Sequence, residues 1–301
     1  MTANPWKGRL DGRVAVVTGA GRGIGAGIAK LFAAEGAAVV VNDLGAELDG
    51  SGGGDATPAQ QVVEEITAAG GTAKVDGSDI SDVAAAEGLV RGAIEDYGSL
   101  DVLVNVAGIL RDRMIFNLAE PEWDDVIRVH LKGHYATTKP AAAYWREQRN
   151  PDGHYRIINF TSVSGLYGAP GQPNYAAAKM GIVGLTYSCA NALGKYGVTA
   201  NAISPGAATR MTGSIPSDRR RSSFDDDEMA ADNIAPIVGY LASAASDWLT
   251  GQVIGARGYE VQLLNKPAPV RQLNSDAPWD PEKLADLVER VFKPAVSGSA
   301  R

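Results

Sequence analysis

Apolar residues fall along this chain in short dense runs, separated by stretches of helical period. Val14 to Thr18 (VAVVT) is strand-like. Glycines follow at once, and then Ile24, Ile28, Leu31 and Phe32 recur at helical spacing. The run from Ala38 to Asp43 (AVVVND) comes one helix length later, as a βαβ unit requires. Thr57-Pro58 reads as an N-cap and a first-turn proline opening the helix PAQQVVEEITAAG. Thr72 to Gly77 is a third strand, Ser81 to Tyr97 a helix capped by Ser81, and Leu100 to Asn105 (LDVLVN) a fourth strand. Pro121 starts a long helical pattern through Trp123, Val126, Ile127 and His130, which Pro140 is expected to kink or interrupt. Tyr155 to Thr161 (YRIINFT) is a fifth strand, and an alanine-rich helix runs from Asn174 to about Tyr196. Val198 to Ser204 and Val253 to Gly258 complete seven strands.

Runs this uniformly apolar suit strands buried on both faces. Their alternation with helices predicts an α/β fold, a doubly wound seven-stranded parallel sheet with helices on both faces. Ligands in such sheets bind beyond the carboxyl ends of the strands. One domain is expected over residues 1–264. Asn265 to Arg301, proline-rich before the short helix PEKLADLVERVF, reads as a C-terminal extension. Two segments break the pattern. Leu44 to Thr57 (LGAELDGSGGGDAT) is a glycine-rich loop longer than a normal βα connection. Thr209 to Asp232 is polar, with Arg219, Arg220 and Arg221 followed by Asp225, Asp226, Asp227 and Glu228, and reads as a lid or a solvated excursion.

Composition narrows the classes. Hydrophobic residues at 45% and charged residues at 21% are those of a globular chain, which excludes a disordered one. The 36 glycines have no collagen-like period. No stretch reaches about 18 consecutive apolar residues, so no membrane span is expected. The N-terminus MTANPWKGRL lacks a hydrophobic signal core, and the C-terminus SGSAR is not a peroxisomal address. The one cysteine, Cys189, rules out an internal disulfide and a thiolate-built metal site. With 28 basic against 35 acidic residues, the net charge of −7 opposes nucleic-acid binding. These features lead to the expectation of a cytoplasmic protein with no metal.

The chemistry collects after strand ends. Thr18-Gly19-Ala20-Gly21-Arg22-Gly23-Ile24-Gly25 lies between a strand and a helix. Glycines there let the chain turn sharply and let a helix N-terminus approach a pyrophosphate. A tight βα turn needs one or two glycines without any ligand, so the flanking elements carry the argument. Asp43 ends the second strand, 18 residues past Gly25. A carboxylate there accepts from both ribose hydroxyls and repels a 2′-phosphate, which favours NAD over NADP, although it also suits a turn cap. Arg22, a cation within the loop, pulls towards NADP. Asp79 and Ile80 follow strand three and suit the adenine. Asn105, Ala107 and Gly108 of NVAG end strand four, where backbone can approach the cofactor.

Tyr175 and Lys179 are four residues apart on a helix, so they share a face. A tyrosine of pKa about 10 is a weak base at neutral pH, and a nearby ammonium is expected to lower that value. Ser162, 13 residues before Tyr175, is placed to orient a substrate oxygen. The three together polarise a carbinol or carbonyl during hydride transfer. A surface tyrosine packed by a lysine stem is the plain alternative.

TGAGRGIG, NVAG, the serine before Tyr-Ala-Ala-Ala-Lys, and Ser204-Pro-Gly206 resemble the short-chain dehydrogenase/reductase family over about residues 10–260. The resemblance implies a single Rossmann-type domain, hydride transfer with NAD or NADP, and a homodimer or homotetramer. It implies Tyr175 as acid/base, Ser162 as substrate orienter, Lys179 also as ribose ligand, Pro205 and Gly206 in the cofactor turn, and Thr209 as holder of the nicotinamide carboxamide. VVVNDLG, QVVEEITAAGG, NVAGILRDRM, WDDVIRVHLKGHY and RMT resemble the dehydrogenase part of the peroxisomal type 2 multifunctional enzyme, which oxidises (3R)-hydroxyacyl-CoA and includes 17β-hydroxysteroid dehydrogenases. The hydratase domain that follows there is not expected in a chain of 301 residues. Where the family usually has asparagine in a proton relay stands His130, which either keeps a relay with its two nitrogens or is a packed helix residue. Val106 and the turn PGAATRMT are further departures.

Leu166, Tyr167, Met211 and Trp248 suit an acyl or sterol body, and Arg219 to Arg221 suit CoA phosphates unless the aspartates neutralise them. By resemblance, the C-terminal extension covers the site of a neighbouring subunit. The expected function is NAD-dependent oxidation of a 3-hydroxyacyl-CoA. Alternatives are direct oxidation of a steroid or small alcohol, an NADPH-dependent 3-oxoacyl reductase, and a cofactor-binding sensor or scaffold.

Overall fold

The computed structural model describes residues 8–52, 54–207 and 227–297. Thr209, Met211 and Arg219 to Arg221 lie outside them. The chain divides into two compact units, Met1–Leu264 and Asn265–Arg301.

In the first unit β1 (Val14–Thr18), β2 (Ala38–Asn42), β3 (Thr72–Asp76), β4 (Val102–Asn105), β5 (Tyr155–Phe160), β6 (Val198–Gly206), β7 (Val253–Arg257) and β8 (Glu260–Leu264) form one sheet in the order β3-β2-β1-β4-β5-β6-β7-β8. All neighbours are parallel except β7 and β8. The expected seven strands are therefore eight. Tyr259 to Leu264 escaped notice because β8 is an edge strand. Its outward residues Val261 and Leu263 stay exposed, so it lacks the apolar density of a strand covered on both faces.

Alternation within the strands sorts the core into two layers. Ala15, Val17, Val39 and Val41 pack with α1 (Gly23–Ala34), α2 (Thr57–Ala68) and the helix Ala235–Ala242. Val16 and Val40 pack with α3 (Val83–Tyr97) and the second half of the helical run ending at Gln148. Trp145 is wholly buried there, stacked on Tyr155 with ring centroids 5.5 Å apart. Fully burying a valine, leucine or isoleucine contributes about 1.5–3 kcal/mol relative to exposure, so two such layers fix the strand register firmly. The register sets Asp76, Asn42, Thr18, Asn105 and Asn159 side by side across the sheet. Beyond this polar row lies the site.

Several local expectations change. Thr57 is the first residue of α2 rather than its cap, and its N–H is taken by Asp55 Oδ1 at 3.0 Å. Asp82, not Ser81, caps α3, accepting from Ala85 N at 2.9 Å. The helical run after Pro121 is α4 (Glu120–Val126), a π-helical turn Ile127–Lys132, and α5 (Gly133–Gln148). Pro140 does not interrupt it; the irregular turn lies upstream and carries His130. α7 (Pro173–Leu193) follows the short α6 (Val163–Tyr167) and stops before a 3-10 turn at Gly194–Tyr196. The second unit carries the helix Pro281–Ser297, longer than the pattern indicated.

Candidate active site

A cavity of about 280 Å³ opens at the carboxyl ends of β1, β2 and β4, where the strand order reverses. Gly19, Arg22, Gly23, Ile24, Gly25 and Asp43 line one part, and His130, Tyr175 and Lys179 another.

Gly19 has φ +63°, and a Cβ there would lie 2.7 Å from Ala107 Cα. A Cβ on Gly25 would lie 2.2 Å from the Gly19 carbonyl oxygen. Both positions exclude any side chain. α1 begins at Gly23 after Arg22, and no side chain caps it. The first N–H groups of a 12-residue helix thus lie in the cavity wall without a capping acceptor. Thr18 Oγ1 accepts from Val106 N at 3.1 Å and Ala107 N at 3.3 Å, drawing NVAG against the glycine turn. Asp43 Oδ2 accepts from Gly21 N at 2.9 Å and Oδ1 from Gly45 N at 2.8 Å. Asp43 thus caps the turn and also lines the cavity, where the roughly four acceptor sites of a carboxylate leave lone pairs to spare. An uncapped helix end, a glycine-only approach and a carboxylate with spare lone pairs fit a nicotinamide dinucleotide.

The remaining cofactor expectations divide. Asp79 and Ile80 line the cavity, but Asp79 Oδ1 accepts from Ser81 N and Oγ at 2.9 and 2.7 Å, while Oδ2 faces Arg128 at 3.5 Å. Ala107, Gly108 and Pro205 also line it. Asn105 stands behind the wall instead. Its Nδ2 donates to Asn159 Oδ1 at 3.0 Å and its Oδ1 accepts from Thr137 Oγ1 at 2.8 Å. Gly206 ends β6 beside the Arg257 side chain, outside the lining.

Tyr175 and Lys179 share one face of α7, as their spacing requires. Lys179 Nζ donates to Phe160 O at 2.7 Å and lies 5.5 Å from the Tyr175 ring centroid. Ser162 caps α6, its Oγ accepting from Ser164 N at 3.2 Å, and it is hydrogen-bonded to Tyr175. The ring of His130 meets that of Tyr175 edge-on, 5.1 Å between centroids at 88°. His130 Nε2 lies 3.1 Å from Ile109 N and 2.8 Å from Ile109 O, and its buried Nδ1 has no partner among the described residues.

Charge here does not follow the expectation from pairing alone. Burial pushes the Tyr175 phenol up to about 12, against a lowering by the Ser162 hydrogen bond, with the Asp112 charge raising it further. Burial pulls Lys179 down to about 7. The lysine's hydrogen bond goes to a carbonyl, and desolvation outweighs its attraction for a phenolate. His130 is held neutral, well below the usual histidine range, by burial and then by Lys179. His134, one turn along, is pulled down to about 3 for the same two reasons.

The apolar candidates scatter. Leu166 packs beside Val183 and Val253, Tyr167 is exposed, and Trp248 is exposed with its Nε1 donating to the Tyr240 hydroxyl at 3.1 Å. Sequence reasoning missed that the glycine-rich loop after β2 folds over the cavity. Leu44, Ala46, Glu47, Leu48 and Gly50 line it, and Leu48 O accepts from Leu110 N at 3.0 Å. The excess length of that loop was the available signal. Asp125, Arg128 and Thr161 also line the cavity; the first two lie in WDDVIRVHLKGHY, which carried the resemblance without singling them out.

No helix among the described residues is long and apolar enough to cross a membrane. Comparisons with known proteins agree with this geometry. The short chain dehydrogenase family matches residues 13–220. Hydroxyacyl-CoA dehydrogenase ChsB1 of Mycobacterium tuberculosis is 43% identical over 296 residues, covering 94% of this chain and 89% of that protein. Peroxisomal multifunctional enzyme type 2 of Drosophila melanogaster is 42% identical over 263 residues; the match takes in 87% of this chain but 42% of the fly enzyme. The crystal structure of a short chain dehydrogenase from Mycobacterium avium superposes with a TM-score of 0.83 at 49% identity, covering 95% of this chain and 96% of that one. With its glycine turn, its Ser-Tyr-Lys set and these relatives in agreement, the chain belongs to the short chain dehydrogenase family, oxidoreductases that act on CH–OH groups with a nicotinamide cofactor.

Proposed function

We propose that this protein oxidises the secondary alcohol of a 3-hydroxyacyl-CoA with NAD as acceptor. The observation that carries the reading is the placement of Tyr175, hydrogen-bonded to Ser162, and Lys179 in the wall of a cavity shared with Asp43 and the bare N-terminus of α1. Gly19, Gly23, Ile24 and Gly25 bring backbone N–H groups to the pyrophosphate, and Asp43 receives the adenosine ribose and repels a 2′-phosphate. Asp79 and Ile80 bound the adenine, and Lys179 serves the nicotinamide ribose. A bound nicotinamide would supply the acceptor for the hydride that leaves the carbinol carbon. Tyr175 Oη takes the hydroxyl proton as it gives up its own to the Lys179 amine, which burial leaves able to accept one, and Ser162 holds the substrate oxygen by donating to it. His130, neutral and with an Nδ1 that has no partner among the described residues, suits a relay of that proton away from Lys179. Thr209 is assigned to the carboxamide by family resemblance.

The thioester substrate is supported by the hydroxyacyl-CoA and multifunctional-enzyme relatives. A reducing compartment such as the cytoplasm suits a chain with one cysteine. A homodimer or homotetramer, with residues 265–301 reaching a neighbouring subunit, completes the reading. Truncation after Leu264 is expected to change assembly mass or substrate affinity in light scattering and kinetics.

The deciding experiment measures NAD reduction on matched hydroxyacyl-CoA thioesters and free sterols. Turnover of thioesters with little of free sterols is expected. The reverse result would replace the substrate, and preference for NADPH over NADH in titration would turn the assignment towards a 3-oxoacyl reductase.

A further inference from the structure

A line of hydrogen bonds runs from the exposed Asp112 through Gln172 and Ser164, which play no part in the mechanism above, to Ser162 and Tyr175, which do. Asp112, in the segment after β4, accepts through Oδ2 from Gln172 Nε2 at 2.8 Å. Gln172 Oε1 accepts from Ser164 Oγ at 2.8 Å. The Ser164 N–H donates to Ser162 Oγ, and Ser162 is hydrogen-bonded to Tyr175. Each link orders the next. A carboxylate offers only acceptors, so it takes the amide NH2 of Gln172 and turns the amide oxygen towards Ser164. That oxygen in turn makes the Ser164 hydroxyl a donor. A second tie joins the same two segments. Asn174 Nδ2 donates to Arg111 O and to Glu122 O, both at 3.0 Å, while its Oδ1 accepts from Tyr175 N at 2.8 Å. The segment carrying Asp112 is thereby pinned to the start of the helix that carries Tyr175.

The geometry points to Asp112 and Gln172 as positioning residues: through Ser164 they hold the first turn of α6 so that Ser162 Oγ receives an N–H from behind and presents its own hydrogen to the substrate oxygen. This rests on the reading of Ser162 and Tyr175 as the reacting pair. Asp112 has an additional effect through its charge, which opposes ionisation of the Tyr175 phenol. Among the described residues, the other charged or titratable groups around Tyr175 are Lys179 on its own helix and His130 from the π turn; Asp125 and Arg128 line the same cavity from α4 and that turn. Asp112 is the carboxylate among them whose charge acts on the phenol.

The test uses the full chain, NAD and one 3-hydroxyacyl-CoA, with kcat and KM followed from neutral to alkaline pH. Gln172→Ala and Ser164→Ala are expected to lower kcat about tenfold, leaving the KM for NAD and the alkaline limb in place. Asp112→Ala should lower kcat similarly and move the limb towards neutral pH, because a negative charge that opposes ionisation of the phenol has gone. Asp112→Asn, whose amide oxygen still accepts from Gln172, should restore most of the lost kcat while keeping the moved limb. Wild-type kcat in both Gln172→Ala and Ser164→Ala, or an unmoved limb in Asp112→Asn, overturns the inference. Thermal melting of each variant separates lost positioning from lost folding, and Ser164→Ala carries the test where Gln172→Ala melts early. Tyr175→Phe is the control: full turnover in that variant overturns the parent reading and this inference with it, whereas an inactive Tyr175→Phe beside fully active Gln172 and Ser164 variants removes the inference alone.

Discussion

Around Gly19 and Gly25 the groups facing the cavity are backbone donors, and there is no room for a side chain to be added. Around Tyr175 the groups are side chains sealed from water, with Tyr175 at 7%, Lys179 at 3% and His130 at 1% exposure. The first region attracts an anion by leaving the positive end of α1 uncapped. The second holds a phenol, an amine and an imidazole where burial favours their neutral forms. In the proposed function, binding is thus written in backbone shape and reactivity in desolvation. The contrast predicts different failures: substitutions in the first region act on affinity, and those in the second on turnover and on the pH response of the fold.

The largest effect is expected from Tyr175→Phe. Loss of a positioned acid/base group costs typically 10²–10⁴-fold in kcat, here with NAD affinity within about twofold of the parent by fluorescence titration. Comparable losses in both quantities would erase the division between the regions. Gly25→Ala comes next. The added Cβ meets the Gly19 carbonyl at 2.2 Å, and overpacking of this kind costs about 1–3 kcal/mol. NAD affinity should fall at least about tenfold while kcat at saturating NAD recovers. An unchanged affinity would show that the turn yields.

Asp43→Asn is a smaller change, expected to move the ratio of kcat/KM for NAD over NADP by about tenfold towards NADP, since one repelling charge is removed. A constant ratio would reassign Asp43 to its turn-cap bonds with Gly21 and Gly45. The smallest effect is on stability without added coenzyme. Lys179 binds its proton less readily in the folded chain, about 7 against 10.5, so unfolding takes up a proton between those values and melting temperature should rise with pH across that window. Tyr175 has the opposite sign: its folded value is raised from 10.0 to about 12, and its contribution is lost as pH climbs through that interval. Lys179→Met should flatten the rise, and a rise that persists in that variant would place its origin elsewhere.

Much of this was legible locally. The two-sided apolar strands announced a covered sheet, the glycine turn between β1 and α1 announced a dinucleotide site, and Tyr175 with Lys179 needed only helical spacing to share a face. What escaped did so for definable reasons. β8 has the sequence of a half-exposed edge, so its pattern does not mark it as a strand. Ser81 and Asp82 are equally good caps on paper, and the choice fell to whichever side chain was not already held, Ser81 being bonded to Asp79. Asn105 looks like a cofactor contact until the register sets it opposite Asn159, which claims its amide. Trp248 suited an acyl pocket by type alone, but it precedes the amino end of β7, away from the carboxyl ends that form the site.

The sequence by itself determined that Tyr175 and Lys179 share a helix face and that a glycine turn joins β1 to α1, because spacing along a helix or after a strand is a local matter. Only the tertiary structure decided their protonation. A lysine four residues from a tyrosine predicts a lowered phenol, yet the packing of α7 against β5 and the π turn strips water from both groups and gives the lysine a carbonyl partner. Desolvation depends on everything that surrounds a side chain, and no linear spacing records it.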